Sequence, residues 1–204
     1  MKFDDLAAAI KRINDKPAVN DPRGLTYLWT YPSIRALTEN RSQIDMCVFH
    51  QLASSTYGWM PRVIRIDPQY AESALEAVNQ ALEVQIDSFF DLDAVMPIAN
   101  YLHSLVGASK VLHFVNPQVF PIWDSRIEGF RLGKKPSQYH MSKPENLSSY
   151  IHNVHEIIQD RRFPDFFHEF QSAFEQRLGD CQISPYKVSE VRAVEYSLLV
   201  LTEK

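Results

Sequence analysis

The chain has 204 residues, 45% apolar and 23% charged, with a formal net charge of −4. That balance excludes a disordered chain and leaves enough length to bury one sizeable core. It also excludes a uniformly basic surface, so any nucleic-acid contact needs a local basic face.

Six glycines and few alternating segments favour helices over strands. Cys47 and Cys181 are far apart, with no metal-type spacing; no metal site and no cofactor are expected. A four-cysteine cluster is excluded by the count. No apolar run approaches the length that crosses a bilayer, and no membrane partner is expected. The start, Met-Lys-Phe-Asp-Asp, is acidic within five residues, which argues against a signal peptide. The expected location is cytoplasmic.

In chain order, Phe3, Leu6, Ala9, Ile10 and Ile13 share one helical face over 2–14. Pro17 to Gly24 reads as a loop, with Asp21-Pro22-Arg23-Gly24 as its turn. Leu25–Tyr31 is aromatic and reads as a short extended piece or a packed loop, before Pro32-Ser33 opens a short helix to about Asn40. A helix follows over 42–53, with Ile44, Cys47, Val48 and Leu52 inward and His50 structural. Ser54 to Arg62 is predicted to be a loop lined with aromatic and hydroxyl groups, of the kind that borders pockets. Asp67-Pro68 is an N-cap followed by proline at the first helical position. That helix runs to about Val84, with Ala71, Leu75, Val78 and Leu82 on one stripe. Asp87 or Ser88 opens the next segment, to about Tyr101, with a break near Pro97. Asp91 and Asp93 fall near its first turn as solvated caps.

Residues 103–133 hold the most informative stretch. A glycine turn precedes a short apolar helix bearing Lys110. Asn116-Pro-Gln-Val-Phe-Pro121 is a proline-bounded loop that no helix can run through. Asp124 then opens another helix. Asp124 and Ser125 are both good N-caps, and Ser125-Arg-Ile-Glu128 has the form of a capping box. From Arg126 to Lys143 there are five positive residues, Arg126, Arg131, Lys134, Lys135 and Lys143, against Glu128 alone. Residues 146–160 and 163–177 are amphipathic helices with a break at Phe163-Pro164. His152, His155 and His168 there lack a matching ligand for metal. Gly179 is the expected C-cap, and Ser189–Leu201 is the last helix.

The chemistry at Asp124 has a bland account as a helix cap. It also has a functional one. A helix N-terminus favours a charged carboxylate, suited to stabilising a developing oxocarbenium-like sugar or orienting a water. A nearby lysine amine can form a Schiff base with a sugar carbon.

Gly107-Ala-Ser-Lys110-Val-Leu-His-Phe, then Phe120-Pro-Ile-Trp-Asp124-Ser-Arg-Ile and Phe130-Arg-Leu-Gly133, resemble the helix-hairpin-helix DNA glycosylases, in particular the 8-oxoguanine-glycosylase-like branch. About 30 residues carry the likeness. With Gly107 as its one obvious glycine, the hairpin is a degenerate one. The resemblance implies an all-α, two-lobed fold in a single domain, 1–204. One lobe would be 25–143; the other, 1–24 plus 144–204. It implies Asp124 and Lys110 as catalytic residues, and duplex DNA with a modified base as partner. The base would be flipped into a pocket, for which Trp123, Tyr57 and Trp59 are the candidate aromatics. Gly107, Ser109, Arg126, Lys134 and Lys135 would hold the DNA backbone. The expected activity is cleavage of the base's N-glycosidic bond. The alternative is a non-catalytic DNA-binding or scaffold protein of the same fold, within a multi-protein repair or defence system.

Overall fold

The computed structural model describes residues 2–15, 21–60, 63–85 and 95–202. These residues form ten α-helices and two short 3-10 turns, with no strand among them. The helices are α1 (Asp4–Asp15), α2 (Pro22–Arg35), α3 (Met46–Gly58), α4 (Ala71–Glu83) and α5 (Met96–Tyr101). They continue as α6 (Leu105–Val115), α7 (Ser125–Leu132), α8 (Pro144–Ile158), α9 (Phe163–Asp180) and α10 (Glu190–Leu201). The 3-10 turns are Pro68–Tyr70 and His140–Ser142. The all-α expectation holds. No helix among the described residues is long and apolar enough to cross a membrane. The aspartates expected near a helix start, Asp91 and Asp93, lie outside the described residues, as do Asp87, Ser88, Pro61 and Arg62.

One apolar core runs through the molecule. Helix α1 buries Leu6, Ala9 and Ile13 against α9 and α10, joining the two chain ends. Helices α3, α4 and α5 pack around α6. Helix α7 packs on α10, so the segment carrying Asp124 leans on the C-terminal helix.

Several local expectations are corrected. Asp21-Pro22 is a helix start rather than a turn, with the Leu25 N–H donating to the Asp21 carbonyl at 2.8 Å. It is the same aspartate–proline signature as Asp67-Pro68, where the carboxylate accepts from the Gln69 N–H. Leu25–Tyr31 is therefore helical, and α2 continues through Pro32. A proline there has no N–H for the carbonyl four residues back. That carbonyl belongs to Leu28, and the Tyr186 hydroxyl donates to it instead at 3.1 Å. A long-range side chain thus lets a helix pass a residue that normally stops one.

The expected loop from Ser54 is likewise helical to Gly58, because α3 has a good start at Asp45, whose Oδ1 accepts from the Val48 N–H at 2.8 Å. Thr56 and Tyr57 face the core from it. Cys47, expected inward, is exposed. On α4 the buried stripe is Ala74, Ala77, Val78 and Ala81, with Leu75 and Leu82 only half-buried. Gly179 lies inside α9, and Gln182 takes the left-handed position beyond it, at φ 57°. There Gln182 and Ile183 return N–H bonds to Gly179 and Leu178.

Candidate functional site

Helices α5 and α6 are joined by a three-residue turn, Leu102-His103-Ser104. The first end is a Schellman motif: the Ser104 N–H bonds the Ala99 carbonyl at 2.9 Å and the His103 N–H bonds that of Asn100 at 3.2 Å. His103 occupies the left-handed position at φ 47°, where glycine is the usual residue. Ser104 then caps α6, its Oγ accepting from the Gly107 N–H at 2.9 Å. Val106 and Lys110, one turn apart on α6, share the face turned toward a cavity of about 710 Å³.

The loop from Asn116 to Asp124 makes little secondary structure of its own, so its carbonyls need outside donors. They have them. Ser189 donates to Pro117, His155 to Val119, His113 to Phe120 and Tyr150 to Ile122, at 2.6, 2.8, 2.7 and 3.1 Å. The Ser109 hydroxyl lies 3.3 Å from both the carbonyl and the N–H of Trp123. At its start, Asn116 Nδ2 donates to the Ala81 and Val84 carbonyls at the end of α4. Donors from α6, α8 and the cap of α10 thus hold a strand-like segment in one path, and its last residue, Asp124, inherits that position.

Asp124 is the N-cap of α7. Its Oδ1 accepts from the N–H groups of Arg126 and Ile127 at 2.8 and 3.0 Å. Among the described residues no donor bonds Oδ2. The side chain is half-buried and borders the same cavity as Lys110, which is itself buried. The capping box predicted on Ser125 does not form, because the helix starts one residue earlier. Ser125 is exposed on the cavity rim. Glu128 is displaced into the interior, 2% exposed. There it accepts from Trp123 Nε1 at 3.0 Å, Arg131 at 2.7 Å and His140 Nε2 at 2.7 Å.

The cavity collects four of the predicted residues: Asp124, Lys110, Trp59 and Arg126. Trp59 is fixed by Thr30, which accepts from its indole N–H at 2.7 Å, and Tyr27 lies against it with ring centroids 5.0 Å apart. The others go elsewhere. Trp123 is completely buried in the core, its indole N–H taken by Glu128, and it offers no face to a ligand. Tyr57 donates to the Leu102 carbonyl at 2.9 Å and borders a separate hollow on the far side of the turn. Gly107 is buried inside α6 rather than in the hairpin turn. It is glycine because a Cβ there would meet the Tyr57 hydroxyl at 2.7 Å, so the absent side chain lets α3 close on α6. Ser109, 2% exposed, is spent on the Val106 carbonyl at 2.9 Å and on Trp123, and cannot reach a phosphate. Arg126 lines the cavity but also donates to Thr202 at 3.1 and 3.2 Å. Arg131, in the positive run, is bound to Glu128, Ser149 and Asn153. Lys134 and Lys135 are exposed on the loop after α7, which Gly133 ends at φ 65°.

Residues that sequence reasoning did not single out add to the wall, among them Tyr27, Asn100, His103, Gln138 and Met141. Only Tyr27 had a signal, in the aromatic run 27–31. The rest are assembled by the turn geometry. Among the described residues no group of His, Cys, Asp or Glu is placed to hold a metal ion. No protein-family model, no curated protein and no solved structure matches this chain.

Proposed function

We propose that the chain is a DNA glycosylase-like protein that cleaves the N-glycosidic bond of a modified base in DNA. One observation carries the reading: Asp124 and Lys110, on different helices, open onto one cavity large enough for a flipped base. Trp59 and Tyr27 give that cavity an aromatic wall suited to stacking. The α5–turn–α6 unit, followed by a braced loop and a capping aspartate, supports a degenerate helix-hairpin-helix within a two-lobed glycosylase-like fold.

The chemistry follows from Asp124 Oδ2. Oδ1 is engaged by two backbone N–H groups, which fix the carboxylate plane. Oδ2, which no donor among the described residues engages, is left to stabilise positive charge developing on the sugar as the bond to the base breaks. Water, deprotonated toward the carboxylate, attacks the sugar carbon, and the base leaves with the bonding electron pair. In the lyase variant the unprotonated Lys110 amine attacks the sugar carbon in place of water as the base leaves with the bonding pair. A proton from the nitrogen passes to the ring oxygen, the bond from that oxygen to the carbon breaks, and a protonated Schiff base remains.

The test is base release from a panel of duplexes carrying modified bases, paired with borohydride trapping. Asp124→Asn abolishes release. A trapped adduct that Lys110→Ala removes establishes amine chemistry; release without an adduct establishes hydrolysis. Normal release by Asp124→Asn sinks the assignment.

A second reading, a non-catalytic DNA-binding or scaffold protein, is favoured by one fact. Arg126 and Arg131 point inward to Thr202 and Glu128 rather than out to phosphates. The salt dependence of duplex binding separates the two, since phosphate contact makes affinity fall steeply with salt. Absence of duplex binding at low salt favours the scaffold.

A further inference from the structure

The segment after α7 has two faces. Gln138, Met141 and Ser142 line the cavity. Between them, Tyr139 turns outward and is 71% exposed. An exposed aromatic on a floppy loop would mean little. This turn, however, is anchored from below. His140 Nε2 donates to the buried Glu128 carboxylate at 2.7 Å, and Ser137 Oγ accepts from the His140 N–H at 3.1 Å. Asn146 Nδ2 donates to the His140 carbonyl at 2.8 Å. The fold therefore commits an interior carboxylate to holding still a turn whose outer residue is a large bare ring.

The charge around that ring is one-sided. No Asp or Glu occurs between Gly129 and Pro144. Lys134 and Lys135 are exposed on the same segment, and Lys143 Nζ stands 4.5 Å from the Tyr139 ring centroid. The nearest acid in sequence is the exposed Glu145, one residue into α8. Lys143 backs one face of the ring, and no other cation or aromatic ring pairs with it among the described residues. A rigid exposed ring beside lysines is how proteins hold single-stranded nucleic acid: bases stack on the ring while ammonium groups meet the phosphates.

Resting on the glycosylase-like reading of the cavity, we infer that Tyr139 is a base-stacking platform. It receives an unpaired nucleotide next to the one entering the cavity, with Lys134, Lys135 and Lys143 on the flanking phosphates. The preferred ligand is then an unpaired or locally opened DNA strand rather than an intact duplex.

The probe is a short single-stranded oligodeoxynucleotide carrying 2-aminopurine, whose fluorescence is quenched on stacking. Wild-type protein binds it at low salt and quenches it. Tyr139→Ala loses the quench and binds roughly 5- to 100-fold more weakly, while Tyr139→Phe, which keeps the ring, retains both. Because Tyr139 is exposed, the substitution leaves the core intact, as unchanged urea melts check. Equal affinity and quench in wild type and Tyr139→Ala overturn the platform. So does a wild-type protein that binds no oligonucleotide at low salt and instead takes an acidic protein or an anionic vesicle. The glycosylase reading fails separately: Tyr139-dependent binding without Asp124-dependent base release supports the platform and leaves a binding module in place of an enzyme.

Discussion

Helix α6, and α7 together with its N-cap, each set one ionisable side chain beside the cavity and another in the interior. On α6, Lys110 borders the cavity while His113, one turn on, is sealed in the core between Tyr31 and the Phe120 carbonyl. At the start of α7, Asp124 borders the cavity with one oxygen bonded to backbone, while Glu128, four residues on, has its carboxylate filled by Trp123, Arg131 and His140. The residue types are equally reactive on paper. For the two acids the difference is saturation: the Glu128 carboxylate is filled and acts as a bracket, while Asp124 Oδ2 meets no donor among the described residues and is available for chemistry.

The comparison can be broken at several points. The largest effect is expected at Glu128. Glu128→Ala leaves Arg131 and the Trp123 indole without their buried partner, costing about 3–5 kcal/mol in urea-melt stability. A loss below about 1 kcal/mol would show that the bracket is decorative.

Asp124→Asn gives the reverse profile. Asparagine caps nearly as well as aspartate, so stability moves by less than about 1 kcal/mol, while base release slows by roughly 100-fold or more. A variant that melts early with unchanged turnover would make Asp124 a bracket too.

Gly107→Ala sharpens the contrast from the packing side, since its methyl would press on the Tyr57 hydroxyl and ring. It should cost about 1–3 kcal/mol, part of which Tyr57→Phe in the same chain restores. An additive double mutant would rule out that contact as the reason for glycine.

The smallest effect is a pH limb. Burial foremost, with the Arg192 charge, holds His113 well below its ordinary 6.5, against the opposing bond to Phe120; burial lowers His155 likewise. The folded state keeps these rings neutral while the unfolded chain protonates them, so their contribution is complete above 6.5 and is lost as pH falls below it. Equilibrium unfolding followed downward from neutrality should show that decline. An NMR titration placing His113 at or above 6.5 would remove it.

Much of this architecture is legible in the sequence, for reasons visible at particular residues. Leu6, Ala9 and Ile13 announce α1 by spacing alone, and Ser189 announces α10 by capping. Pro117 and Pro121 end α6 and force a loop, and Asp124 behind them is a helix start on any reading. The pairing of Asp124 with Lys110 came from a resemblance, and the shared cavity is what gives that pairing geometric content.

Other features had no local signal. Pro32 reads as a helix break because the rescue of the Leu28 carbonyl comes from Tyr186, more than 150 residues away. Trp123 reads as a pocket aromatic until Glu128 takes its N–H, and Gly107 as a hairpin glycine until Tyr57 is found against it. Local chemistry fixes what a residue does with its nearest neighbours: the period of a helix, a cap, a break. Whether an aromatic or carboxylate ends as wall, bracket or reactive group depends on which distant donors reach it. Side-chain hydrogen bonds across the fold decide that, and they exist only once the chain is packed.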